Sequence, residues 1–160
     1  MKNILGMLVF SVVAVGFNVQ SAHALSEFKK AFGDKYAAKH KSKEFQTAVQ
    51  KATCNVCHVK GAKKDVNNEY GKLLAKLIEG SAKDRKAKAK EEGGTEAENK
   101  EKAKLLEELE AAFKQVEKMK SDGGEGPEFG KLIESGKLPV DVDKAVAKYK
   151  EEQAKKEKQE

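Results

Sequence analysis

Cys54, Cys57 and His58 stand together in the stretch "TCNVCHVK", residues 53–60, and no other cysteine occurs among the 160 residues. Two thiols three apart with an imidazole directly after them suit a disulfide, a metal clip or the anchor of a larger group. A Cys54–Cys57 bridge would close a very small loop, and the stabilisation a bridge confers grows with loop length. A thioredoxin-type dithiol belongs at the start of a helix after a strand, and no βαβ pattern is legible in this chain. A closed zinc site needs four ligands. Downstream of the first 24 residues the chain offers only His40 as a further His or Cys.

One chemistry uses all three residues. In C-x-x-C-H the thiols add across the two vinyl groups of a haem, and the adjacent histidine gives its nitrogen to the iron. One helical turn sets both sulfurs against one porphyrin edge and brings the imidazole under the metal. The expected cofactor is therefore one covalently attached haem c, with Cys54 and Cys57 as tethers and His58 as the proximal iron ligand.

Such attachment happens outside the cytoplasm, and the start of the chain agrees. Lys2, the apolar run "ILGMLVFSVVAVGF" and Ala22-His23-Ala24 have the layout of a secretory signal peptide. The run is short for a membrane span, which needs ~20 residues. Cleavage after Ala24 is expected, giving an exported, periplasmic-type protein with one domain over residues 25–149 and a charged tail over residues 150–160. No membrane insertion is expected after cleavage. Loss of Lys2 lowers the formal charge from +6 to +5. The lysines are interleaved with glutamates and aromatics are sparse, which speaks for a solvated surface or an acidic docking partner and against nucleic acid.

The elements that must position the motif read as helices, and the fold class expected is all-α. Phe28, Phe32 and Tyr36 make one stripe on a first helix. Ser42 is placed to cap a second, with Phe45, Val49 and Ala52 on one side, running straight into Cys54. Residues 59–68 read as a polar loop, and Asn67 or Asn68 caps a helix carrying Tyr70, Leu73, Leu74 and Leu77. Residues 81–94 hold nothing apolar larger than alanine and read as a charged linker or frayed helix extension. Thr95 and Glu98 then form a capping-box pattern before a long stripe through Leu105, Leu109, Phe113 and Met119. A short helix over residues 128–134 and a last helix with Val142, Ala145, Val146 and Tyr149 follow, and the tail is expected to fray from Lys150.

These stripes are narrow, and such a chain alone would form a thin core. Haem supplies what is missing: Phe45, Val49, Val56, Leu73, Leu77, Phe113 and Val116 are expected to wrap it. On the far side of the iron, Met119 is the only methionine after cleavage and the candidate distal ligand, with ordinary core packing as its other reading. His40, 14 residues before Cys54, is the alternative distal ligand. The third option is an open position that binds a diatomic gas. Tyr70 is a candidate to bond a haem propionate or pack on the ring. Lys60, Lys63, Lys64 and Lys72 either steer an acidic partner or simply solvate a loop. No acid–base pair is placed near the iron, so the chain is not expected to be an enzyme.

One haem motif near the N-terminus, helices after it and a methionine far downstream resemble a class I c-type cytochrome. More narrowly, "ATCNVCHVKGAKKDVNNEYGKLL" and "EFGKLIESGKLP" are similar to small monohaem cytochromes of planctomycetes, including anammox bacteria. The resemblance spans most of the mature chain apart from residues 81–94. It implies a class I fold wrapped around haem and single-electron carriage among multihaem oxidoreductases, in the anammoxosome or an equivalent lumen. A homo- or hetero-dimer, or a subunit role in an oxidoreductase complex, is compatible with it. Relatives that bind nitric oxide at an exchangeable position imply the alternative of an NO- or CO-binding haem protein. Two features depart from the class I pattern. The first proline is Pro127, so no proline carbonyl follows the motif to accept the proximal histidine N–H, and Met119 ends a predicted helix instead of lying in a proline-flanked loop.

Overall fold

The computed structural model describes residues 26–158, and the expected leader lies outside the described residues. Among them every element is helical, with no strand, as the periodicities require. Helix α1 (Ser26–Phe32) continues into a π-helical turn (Gly33–Ala37). Helix α2 (Lys43–Ala52) is capped by Ser42, whose Oγ accepts from the Phe45 N–H at 3.0 Å, the cap expected at that residue. Helix α3 (Glu69–Leu77) is capped by Asn68, and α4 spans Ala82–Val116. Helices α5 (Phe129–Glu134) and α6 (Val142–Glu157) complete the chain. None of the helices described is long and apolar enough to cross a membrane.

The stripes meet in one aromatic core. Phe32 from α1 makes edge contacts with Tyr70 of α3 and Phe113 of α4, both with ring centroids 6.0 Å apart, and Tyr70 meets Phe129 of α5 at 5.3 Å. Edge-to-face pairs at these separations contribute beyond the area they bury. Phe45, Val49, Val56, Phe113 and Val116 are buried as expected, whereas Leu73 and Leu77 are only partly so.

Residues 81–94, expected as a charged linker or a frayed helix extension, form the ordered first part of α4. Ser81 caps α4, its Oγ accepting from the Asp84 N–H at 3.3 Å, and Ala82 is buried. The Arg85 guanidinium forks onto Glu108 at 2.7 Å and reaches Glu101 at 2.6 Å. On a straight helix Glu101 would lie about 24 Å and Glu108 about 35 Å from Arg85. The chain must therefore reverse between them. It does so at Gly93 and Gly94, the latter at φ +65, a left-handed conformation that glycine adopts without a Cβ clash. So α4 is a hairpin of two arms, with Lys86 and Lys90 on one arm paired to Glu98 on the other. Composition hid this because the first arm is held by ion pairs and alanine contact instead of large apolar side chains. Helix α6 likewise runs on through Glu157 where fraying was expected, with Glu151 and Lys155 paired at 2.7 Å one turn apart.

A further ion pair ties α1 to α4. Lys102 Nζ lies 2.7 Å from Glu27, and its hydrogen bond holds the Glu27 carboxyl down at about 2, from an ordinary 4.5. A carboxylate with a lowered folded-state pKa stabilises fully above its unfolded value. This contribution is complete above about 4.5 and disappears as the pH falls towards 2. Both groups are partly exposed, so Lys102→Gln is expected to cost only about 0.5–1 kcal/mol at neutral pH. Urea denaturation should show the variant and wild type converging at pH 2; a gap that persists there would contradict the assignment.

Candidate functional site

Helix α2 delivers the motif and Thr53 ends the helix. Its N–H still bonds the Val49 carbonyl, but its own backbone sits at φ 52, ψ −117, a strained conformation for a β-branched residue. The next residues wind into a 3₁₀ turn (Thr53–Val56), and the Cys54 carbonyl accepts from both Cys57 N–H at 3.2 Å and His58 N–H at 3.0 Å. Both cysteines are free thiols, Cys54 exposed and Cys57 partly buried. Desolvation, with Cys54 beside it, pushes the Cys57 thiol up to about 12. It is held protonated at neutral pH. His58 is 8% exposed.

After His58 the chain returns to its own start. Val59 N–H bonds the Val66 carbonyl at 3.0 Å, and His58 and Asn67 form an isolated antiparallel bridge. The expected polar loop is thus a closed one, and it carries exposed Lys60, Lys63 and Lys64 with Lys72 just beyond on α3. Gly71 brings α3 onto the motif: a Cβ there would lie 2.0 Å from the Cys57 carbonyl oxygen.

Cys54, Cys57 and His58 share the wall of one cavity of about 360 Å³. Apolar side chains make most of the rest: Phe28 and Phe32 from α1, Val49 from α2, Leu74 from α3, Leu109 and Phe113 from α4. Gly33, at the start of the π-helical turn, also faces it, and a Cβ built there would meet no atom within 4 Å. A π-turn widens the helix locally and often marks a functional site. Lys29, Gln46 and Gln50 add polar groups to the wall. Two thiols, one imidazole, a largely apolar wall and room over Gly33 suit a large flat apolar group carrying a metal. The residues present therefore fit haem c, which Cys54 and Cys57 would tether and whose iron His58 would bind. Among the described residues no three of His, Cys, Asp and Glu cluster in the way a bare metal ion would need.

The remaining candidates lie elsewhere. Met119 is not among the cavity residues; it sits half-buried after α4, its N–H on the Val116 carbonyl and its own carbonyl accepting from Phe129 N–H at 3.0 Å. His40 is also outside the cavity wall. Its Nδ1 accepts from the Ser42 N–H at 3.1 Å, so Nε2 carries the proton and donates to the Ile133 carbonyl at 3.0 Å. With its ring 4.5 Å from Phe45, His40 clasps α2 to α5. Tyr70 is fully buried in the aromatic core and does not line the cavity; burial, then neighbouring Cys57, raises its phenol pKa.

Comparison of the chain with family models, with curated proteins and with solved structures finds no match. The site must be read from its own residues. Two of them, and Tyr36 outside the cavity wall, carried no signal for chemistry in the sequence. Gly33 and Gly71 matter only because of what faces them. Tyr36 looked like a stripe residue, yet its hydroxyl donates to Glu117 at 2.5 Å, and burial raises its pKa.

Proposed function

We propose that this chain is an exported, class I-like c-type cytochrome that carries single electrons on one covalently attached haem. The observation that supports it best is the meeting of Cys54, Cys57 and His58 on one apolar cavity wall with open space over Gly33. When bound, the haem supplies the redox chemistry through one-electron cycling of its iron. The protein's part is to hold and insulate. Cys54 and Cys57 form the thioether tethers, His58 supplies the proximal nitrogen, and Phe32, Leu109 and Phe113 exclude water. Lys60, Lys63, Lys64 and Lys72 give the neighbouring surface a positive field that would speed encounter with acidic redox partners. Met119 remains the thioether that would complete a carrier's iron, and it would have to move to the cavity to do so.

A second reading is favoured by one observation: apart from Cys54, Cys57 and His58, the described cavity residues include no Met, His or Cys. On that reading the distal position is exchangeable and binds NO or CO. Expression with a c-type maturation system tests the shared premise. The wild type is expected to keep its haem through a denaturing gel, and Cys54→Ser with Cys57→Ser together to lose it; a colourless wild type refutes both readings. Carbon monoxide added to the reduced protein then divides them. An unchanged Soret band means a six-coordinate carrier, and an immediate large change means the gas binder.

A further inference from the structure

We infer that Asn68 is the positioning residue of the attachment turn, one buried carboxamide that shapes residues 54–58 and locks them to the start of α3. The inference rests on the haem reading for what the turn is for, but its geometry stands alone. Asn68 is 3% exposed. Its Nδ2 lies 3.1 Å from the Asn55 carbonyl, 3.1 Å from that of Val56 and 3.4 Å from that of His58. Its backbone N–H donates to the Cys57 carbonyl at 2.9 Å. The carbonyls of four consecutive residues, 55 to 58, thus converge on this one side chain and its own amide. The Cys54 carbonyl is already taken by the Cys57 and His58 N–H groups, and the two Nδ2 protons are shared among the Asn55, Val56 and His58 carbonyls, with His58 the longest contact. Meanwhile Asn68 Oδ1 accepts from Gly71 N–H at 3.0 Å and caps α3.

This double use answers a problem set by the sequence. A short 3₁₀ turn leaves its last carbonyls without helical partners, and no proline stiffens the chain before Pro127. Asn68 supplies both the missing donors and the stiffness. Only an asparagine or glutamine side chain combines two N–H donors with an acceptor in one neutral group, and the shorter of the two reaches both the turn and its own helix.

The two halves of the role can be separated. Asn68→Asp keeps an oxygen for the α3 cap but removes both amide protons and turns an acceptor on three carbonyls. Asn68→Ser keeps a cap and is too short to reach the turn, without adding charge. In holoprotein made by a c-type maturation system, both variants are expected to carry at least tenfold less covalent haem than wild type. In the fraction that does load, amide exchange at Cys57 and His58 should quicken tenfold or more, while Leu105 and Phe129 exchange as in wild type. The midpoint potential of that fraction should shift as well. Full haem loading with unchanged exchange at Cys57 and His58 overturns the inference, and so does exchange that quickens equally everywhere, which is mere loss of stability. If Asn68→Asp yields no folded protein, Asn68→Ser carries the comparison. A wild type that folds with fixed packing but carries no covalent haem would refute the proposed function instead, and exchange measured on that chain would decide Asn68.

Discussion

Gly71→Ala is expected to be the most damaging alanine substitution among the described glycines. The added Cβ would lie 2.0 Å from the Cys57 oxygen, 2.8 Å from its carbonyl carbon and 3.1 Å from its Cα. All three are backbone atoms, so no side chain can swing aside. Sliding α3 away is also blocked, because Asn68 N–H holds that same Cys57 oxygen at 2.9 Å. Relief must therefore break the Asn68 bonds or unwind the first turn of α3. Overpacking in a well-filled core costs about 1–3 kcal/mol and occasionally more. Here the clash is with fixed backbone, and a loss of about 3 kcal/mol or more is expected, read from the denaturation midpoint of the holoprotein. Haem loading should fall with it, since the displaced atoms belong to the attachment turn. A variant that loads fully and unfolds with the wild type would show that α3 does not brace the motif.

Chain made without haem is expected to lose its fixed tertiary packing while keeping much of its helix. An unfilled core cavity costs roughly 24 cal/mol per Å³. For about 360 Å³ that approaches 9 kcal/mol before water enters through the mouth. The total stability of a domain is only about 5–15 kcal/mol. The walls come from α1, α2, α3 and α4, so collapse of the cavity would disturb most of the core together. The α4 hairpin has its own ties, Arg85 to Glu101 and Glu108 and the Lys–Glu98 pairs, and should outlast the rest. Circular dichroism should show a far-ultraviolet helix signal with a weak near-ultraviolet one and a broad melt. A sharp melt at the holoprotein's temperature would mean that the cavity is not structurally dependent on a filling group.

Much of the positioning machinery was legible because it is local. Ser42 and Asn68 cap where their side chains meet amides three residues on, and such bonds depend only on near neighbours. The stripe Phe28–Phe32–Tyr36 and the run into Cys54 follow from a period of 3.6 residues. The hairpin in α4 was not legible, although both ends of each ion pair are plain in the sequence. Arg85, Glu101 and Glu108 become neighbours only once Gly93 and Gly94 turn the chain back.

The same division runs through the site. By itself the sequence determined which donors stand together for the proposed attachment: two thiols and an imidazole within five residues must lie close whatever the rest of the chain does. It also determined the all-helical class, through stripes and caps acting over one or two turns. Which side chains face His58 across the cavity was decided only by the tertiary structure. Met119 and His40 have suitable donor atoms, but the turn after α4 and the clasp on Ile133 keep both off the cavity wall. Gly33, Gly71 and the four carbonyls gathered by Asn68 are likewise facts about approach between elements. Donor chemistry is a property of one residue, and approach depends on chain reversals far away in sequence.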